Sequence, residues 1–276
     1  MQGLRSFLVL AAIAFVTTQA SSAEKQGLAD PGVVYLRVTA TNSSGQFIVG
    51  LAEPNFRISE DNTPQTIAYL SADETPIRIR VVLDGSREWR ERARGIASSV
   101  FERGTIRIDE VFVDESPDLP PNEAVYQALN RLLQTGNDAV RAVVLLTDRI
   151  NPNGYSFSKA RELLKDQDIQ LHIIALPDPS SAMNESSRGV LRDLAASSGG
   201  NAYFPMSVSL VDAAQKVAKA LHYQYLIGYH PTNAVKDGKW RKIKITAKHL
   251  DLRTKSTLKL NVRSKPGYYA TAASTK

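Results

Sequence analysis

The chain has 276 residues, of which 43% are hydrophobic and 22% are charged, so it can bury at least one full core and has room for a second small unit. Its formal net charge is +6 and it contains no cysteine, which excludes disulfides and metal sites built on thiolates. The cations near the C-terminus alternate with apolar residues at strand period, and we interpret them as the solvated face of a sheet, not as a nucleic-acid site.

The first residues have the order of a secretory signal peptide. A single cation, Arg5, precedes an apolar run from Phe7 to Val16, and small residues follow up to Ala23. The apolar run is too short to span a bilayer as a helix, and no later segment is long and apolar enough to do so. We therefore predict a signal peptide over residues 1–23 and a secreted or periplasmic protein with no transmembrane segment in its mature chain. The alternative is an uncleaved amphipathic anchor.

Residues 31–75 show the alternation that is typical of antiparallel strands. Apolar and polar residues alternate from Val33 up to a turn cluster at Asn42–Gly45, after which we predict a second short strand from Gln46 to Val49. A second hairpin is predicted around the turn at Glu60–Asn62. This segment therefore predicts a small β module.

The middle of the chain, residues 76–223, alternates short apolar strands with helical patterns. One strand ends at Asp84 and a later one at Asp148, and glycines such as Gly104 and Gly136 close the helical segments. This alternation predicts an α/β fold, in which a doubly wound, mostly parallel sheet has helices on both faces.

The last segment, residues 224–270, returns to alternating strands. Neither this segment nor residues 31–75 has enough strands to be stable alone, because an isolated hairpin is marginal in water. We predict that the two segments form one β module beside the parallel sheet.

Two strands of the middle region end in carboxylates, Asp84 in VVLDGSRE and Asp148 in VVLLTDR. A strand followed by Asp-x-Ser, with a later strand followed by Ser/Thr-Asp, resembles the von Willebrand factor A domain, a doubly wound fold whose strand ends carry a metal-ion-dependent adhesion site. The segment LRDLAASSGGNAYF also resembles the one that enters a late strand in such domains. Three further segments narrow the resemblance to the exported von Willebrand factor A-related family first catalogued in Acidobacteria. They are VGLAEPNFRISEDNTPQTI, YLIGYHPTNAVKDGKWRKIKI and VRSKPGYYA.

The resemblance implies a set of metal ligands at the strand ends. In the family pattern a first loop is Asp-x-Ser-x-Ser, a second loop supplies Thr and a third supplies Asp. Asp84 and Ser86 match the first loop and Asp148 matches the third, so these three residues are the metal ligands that the resemblance implies. Hydroxyls with one or two carboxylates leave Mg²⁺ able to attract an acidic side chain of a partner.

Three positions depart from that pattern. Glu88 stands where the family has its last Ser, Glu123 where it has Thr, and Arg149 where Gly follows the Asp. Four carboxylates around one divalent ion would leave a net charge of about −2, and such an ion could not attract an acidic side chain. We expect a ligand-binding site that needs no cofactor, with Arg149 bridging Glu88 or Glu123 where a metal would sit. A loosely held Ca²⁺ or Mg²⁺ is the alternative.

These features indicate a binding protein whose partner is another exported or envelope protein, in adhesion or assembly. A structural scaffold with a non-functional site is the first alternative, and a hydrolase using Asp84 and Glu88 is the second. Against an enzyme, the sequence has no Ser/His/Asp order, no Gly-rich phosphate loop and no His-x-x-x-His spacing, and we expect no catalytic residue. The histidines are scattered and are expected to be structural: His172, His222, His230 and His249.

Overall fold

The computed structural model describes residues 32–72, 74–115, 118–148, 156–176, 185–205, 210–251 and 256–271, and all structural statements refer to these residues. The strands are β1 (Val34–Thr41), β2 (Phe56–Glu60), β3 (Thr63–Gln65), β4 (Ile67–Ser71), β5 (Ile77–Asp84), β6 (Glu110–Glu115), β7 (Val140–Thr147), β8 (Gln170–Ala175), β9 (Ala202–Tyr203), β10 (Tyr225–Tyr229), β11 (Trp240–Asp251), β12 (Ser256–Arg263) and β13 (Gly267–Tyr269). The helices are α1 (Arg87–Ala97), α2 (Pro121–Leu133), α3 (Ser158–Asp166), α4 (Glu185–Ala196) and α5 (Leu210–His222). A 3₁₀ turn spans Glu53–Asn55, and a π-helical segment, Ser98–Glu102, extends α1.

A five-stranded parallel sheet with the order β6-β5-β7-β8-β9 forms the centre of the α/β part. Helices α1 and α5 pack on one face of this sheet, and α2, α3 and α4 pack on the other. Every residue of β7 and β8 is buried, as expected for strands that are covered on both faces. The mixed α/β class with a helix-flanked parallel sheet is therefore confirmed.

A second, antiparallel sheet of eight strands has the order β3-β2-β11-β12-β1-β10-β4, and β13 pairs with β11. Strands β3 and β4 lie at the two ends of this path, yet only Thr66 separates them in sequence, so the sheet curls back on itself and is nearly closed. Asp61 and Asn62 form the β2–β3 turn with φ values of 46° and 70°, the left-handed conformation that two-residue hairpins favour. The sheet combines strands from both ends of the described chain.

The hairpin predicted after β1 forms only in part. Asn42 Oδ1 accepts hydrogen bonds from the backbone N–H groups of Ser44 and Gln46, so the turn is present. The predicted strand Gln46–Val49 is wrong, because this segment makes a single β-bridge, from Thr41 to Phe47. Strand β10 pairs with β1 from Val34 to Val38 and leaves only the last residues of that edge for a returning strand.

The antiparallel sheet docks on the turn that precedes β8. Arg37 Nε of β1 donates a hydrogen bond to Asp168 Oδ2 at 3.1 Å, and Lys265 Nζ donates to the carbonyl oxygen of Gln167 at 3.1 Å. Arg263 Nη1 donates to the carbonyl oxygen of Gly200 at 3.0 Å. Burial at this contact lowers the pKa of Lys265 from 10.5 to about 8. Polar groups from both ends of the chain thus fix the sheet to the α/β part.

Two predictions lie outside the described residues, namely the signal peptide over residues 1–23 and the position of Arg149. In the part of the chain that the structure describes, every helix is too short or too polar to cross a lipid bilayer.

Candidate functional site at the strand ends

The carboxyl ends of β5 and β7 lie side by side where the parallel sheet changes its direction of winding. From β5 the chain moves to β6 on one side, and β7 lies on the other side of β5. The register pairs Asp84 with Thr147, the last residues of the two strands. Open α/β sheets bind ligands in the crevice outside such a switch point. The predicted residues Asp84, Ser86 and Asp148 therefore lie at the position that the fold offers for a site.

A buried hydrogen bond closes the floor of this crevice. Asp84 is 4% exposed and Thr147 is 2% exposed. Thr147 Oγ1 donates a hydrogen bond to Asp84 Oδ2 at 2.6 Å. A carboxylate removed from water needs such donors, since burying an unpaired charge costs far more than the roughly 2–7 kcal/mol of an unpaired neutral polar group. The pair therefore fixes the orientation of both side chains.

Ser86 joins the two strand ends through its hydroxyl group. Its Oγ accepts a hydrogen bond from the backbone N–H of Trp89 at 3.2 Å, which caps the N-terminus of α1. The same hydroxyl donates to Asp148 Oδ2 at 3.2 Å. The other carboxylate oxygen, Asp148 Oδ1, is buried and has no hydrogen-bond partner among the described residues. Ser86 is thus both a helix cap and a link between the β5 and β7 loops.

Gly85 is required by the close approach of these loops. Its φ is +143°, and a Cβ atom at this position would lie 2.1 Å from Asp148 Oδ1 and 2.3 Å from Trp89 Cδ1. A side chain would therefore displace both neighbours. Trp89 is 4% exposed, so it packs over the first turn of α1 and is not an anchor presented to a partner.

The acidic residues that depart from the family pattern are not gathered with Asp84 and Asp148. Glu88 is exposed in the first turn of α1, and Glu123 is half-buried in the first turn of α2. Among the described residues there is no group of three or more His, Asp or Glu side chains that could hold a metal ion. The arrangement of four carboxylates around one ion is therefore absent from this part of the chain.

In the described conformation the oxygens of the site are engaged with neighbouring groups of the chain and do not form the octahedral array that Mg²⁺ demands. One oxygen of Asp84 accepts from Thr147, and the hydroxyl of Ser86 is engaged with Asp148 and with the start of α1. Asp148 Oδ1 is the kind of atom that a cation would use, and Ser86, another ligand that the resemblance implies, lies beside Asp148. The described geometry is a hydrogen-bonded set of polar groups, not a preformed metal cage.

The comparisons with known proteins do not assign this chain to a family. No protein-family model matches the sequence, and no curated protein matches it. Among solved structures, the crystal structure of the ArnB paralog VWA2 from Sulfolobus acidocaldarius is similar, with 14% identity and a TM-score of 0.36. The match covers 85% of this chain and 76% of that chain. We draw no functional conclusion from a similarity this distant.

The sequence reasoning missed a distinctive environment at His172. This residue is 2% exposed in β8, and neither of its ring nitrogens has a hydrogen-bond partner among the described residues. The signal was present in the segment QLHIIA, where one ionisable ring interrupts a strand that is otherwise apolar after its first residue. The other histidines lie on different elements. His222 ends α5, and His249 lies in β11.

Proposed function

We propose that the protein is an exported binding module that contacts a partner protein at the carboxyl ends of β5 and β7 and the start of α1. The observation that carries this proposal is the pair of hydrogen bonds at the switch point, from Thr147 to Asp84 and from Ser86 to Asp148. Because these bonds hold both loops in place before a partner arrives, little ordering entropy would be lost on binding.

The surface above the crevice suits a polar contact. Ser86, Arg87 and Glu88 are exposed on consecutive positions, and Arg87 Nε donates to Glu91 Oε1 at 3.2 Å in an exposed ion pair. Charges of both signs on an exposed rim steer partners and set specificity more than they raise affinity. The proposed partner is another exported or envelope protein, in keeping with the predicted signal peptide and the family resemblance.

The chemistry of the site supports binding without turnover. The hydroxyl of Ser86 donates to a carboxylate and not to an imidazole, and the described histidines lie on other elements. A nucleophile needs an adjacent base to become reactive, and a carboxylate is a weaker base than imidazole. Reproducible turnover of a hydrolase panel, lost in Asp84→Ala, would favour the hydrolase alternative instead.

A charge reversal at the rim tests the proposed contact surface. Glu88→Arg changes an exposed side chain beside the crevice, and Glu102→Arg makes the same change at the far end of the α1 segment, where the residue is also exposed. We expect immobilised wild-type protein and the Glu102 variant to retain the same partner from the native envelope, and the Glu88 variant to lose it. Equal retention by both variants would favour the scaffold alternative, in which partners bind elsewhere.

Three measurements test the remaining parts of the proposal. Intact-mass analysis of protein from a secreting host should show cleavage after Ala23, and a soluble product that retains Met1 would contradict export.

Calorimetric titration of chelator-treated protein with Mg²⁺, Mn²⁺ and Ca²⁺ should give no saturable heat, while Arg149→Gly should lower the free energy of unfolding. Tight Mg²⁺ binding that Asp148→Ala abolishes would overturn the metal-independent site.

A further inference from the structure

A second concave region lies away from the strand-end site, between the antiparallel sheet and the α/β part. It is a cleft of about 670 Å³ whose lining comes mainly from β1, β11 and β12, from the start of β8, and from α5. Ligand pockets of small molecules have volumes of roughly 300–1,000 Å³, so the size of this cleft is in the range for a small ligand. Gln170 and His172 line it at the amino end of β8, away from the end of the strands that carries Asp148.

His172 is a buried polar group that nothing in the described fold satisfies. Its ring lines the cleft, is 2% exposed, and makes no hydrogen bond through either nitrogen to a described residue. Burial, with a smaller contribution from the charge of Arg263, lowers the pKa of His172 to about 3, so the ring is neutral and offers one donor and one acceptor. Buried polar groups in folded proteins nearly always have a partner, and an exception requires an explanation.

All the charged residues that line the cleft are cations. Lys216, Lys259 and Arg263 line it, and its lining contains no Asp or Glu among the described residues. None of these three cations forms an ion pair with a described carboxylate, whereas Arg37 and Arg241 elsewhere on the same sheet do. An uncompensated group of cations in a concave site attracts anions.

The remaining lining residues are suited to bind the hydroxyl groups and the carbon atoms of a ligand. Thr39 and Thr41 contribute hydroxyls from the antiparallel sheet, where Asn261 Nδ2 donates to the carbonyl oxygen of Asn42 at 3.3 Å. Asn201 lines the cleft as well, and its Oδ1 accepts from the backbone N–H of Ala202 at 3.0 Å. Tyr203 adds an aromatic ring, and burial raises the pKa of its phenol. Amides and hydroxyls beside an aromatic face can hydrogen-bond a polyol and pack against its carbon atoms.

We propose that this cleft binds a small hydroxyl-rich anion, a sugar acid or a sugar phosphate. The anionic group lies among Lys216, Lys259 and Arg263, and a hydroxyl of the ligand reaches the ring of His172 by displacing the side chains that cover it. The site is separate from the strand-end surface, and it stands independently of the partner-binding function proposed above.

Isothermal titration of the mature protein with four probes tests the proposal: glucuronate, glucose phosphate, inorganic phosphate and glucose. We expect saturable binding of glucuronate or glucose phosphate, and which of the two binds more tightly identifies the carboxylate or the phosphate as the recognised group. Glucose lacks the charge and inorganic phosphate lacks the hydroxyls, so each should bind at least about tenfold more weakly.

Variants locate the binding in the cleft. Arg263→Gln and Lys216→Gln alter exposed positions and should each weaken the tighter probe by about tenfold, and His172→Leu should do the same. Arg107→Gln is the matched control, because Arg107 is exposed and precedes β6 at the opposite edge of the parallel sheet. Absence of saturable binding by either sugar anion would overturn the proposal. Equal weakening by Arg107→Gln and Arg263→Gln would also overturn it, because it would show general surface attraction.

Discussion

Acidification should destabilise this protein in part through His172. Its side chain is buried in β8, and burial followed by the charge of Arg263 lowers its pKa from 6.5 to about 3. Between these values the unfolded chain binds a proton that the folded protein does not, so the free energy of unfolding falls as the pH falls from 6.5 toward 3. Well above pH 6.5 the ring is neutral in both states and contributes no pH dependence. The full displacement corresponds to about 5 kcal/mol.

The variant His172→Leu isolates this effect, because leucine does not titrate and has no polar atom to satisfy. Urea unfolding followed by tryptophan fluorescence is a suitable assay, since Trp89 is buried in the folded state. Between neutral pH and about pH 4.5, wild-type protein should lose about 3 kcal/mol more of its free energy of unfolding than the variant does.

His230→Gln serves as the control, because His230 is exposed and lies outside β8, so the variant keeps the buried ring of His172. Parallel profiles for wild type and His172→Leu over this range would refute the reasoning, since they would mean that the folded protein accepts the proton at His172 as readily as the unfolded chain does.

Three further changes have defined expected outcomes. Gly85→Ala should lower the free energy of unfolding by more than about 2 kcal/mol, because its Cβ would meet Asp148, and a wild-type midpoint in thermal denaturation would contradict the packing described. Thr147→Val removes the hydroxyl that donates to Asp84 at 2.6 Å, and it should lower the free energy of unfolding in urea by about 1–3 kcal/mol. An unchanged free energy of unfolding would show that this bond does not stabilise the fold. Lys265 is charged in the unfolded chain up to pH 10.5 but only to about pH 8 when folded, so stability should rise by about 3 kcal/mol over this window. Lys265→Met should remove that rise, and a rise of equal size in the variant would assign it to other groups.

The parallel sheet could be predicted because its strands are covered on both faces. A strand buried on both faces reads as a continuous apolar run, and β7 and β8 both do so. The turn at Asp61–Asn62 could also be predicted from the sequence, since these residue types tolerate positive φ. The segment Gln46–Val49 was misjudged because its pairing depends on β10, which competes for the same edge of β1 from far along the chain. Local alternation contains no information about that competition.

The strand-end residues could be placed because the carboxyl ends of parallel strands share one edge of the sheet. Topology alone therefore brings Asp84, Ser86 and Asp148 together. Glu88 and Glu123 could not be placed in this way, because both lie on helices, where the rotation of the helix decides which residue faces the crevice. In α1 that rotation buries Trp89 and leaves Glu88 in solvent.

The cleft around His172 could not be predicted, because its walls meet only through the docking of the two sheets. Asp168, in the turn directly before β8, accepts from the buried Arg37 of β1, and its carbonyl oxygen accepts from Arg141 Nη2 of β7 at 3.4 Å. Because β8 begins two residues after Asp168, fixing this turn places the outer side of β1 opposite the start of β8. The carbonyl contact of Lys265 to the same turn places the end of β12, and with it Arg263, on the same side. The cations that dock the sheet thus also determine which cations face His172, so the charge of the cleft follows from the way in which the two ends of the chain are joined.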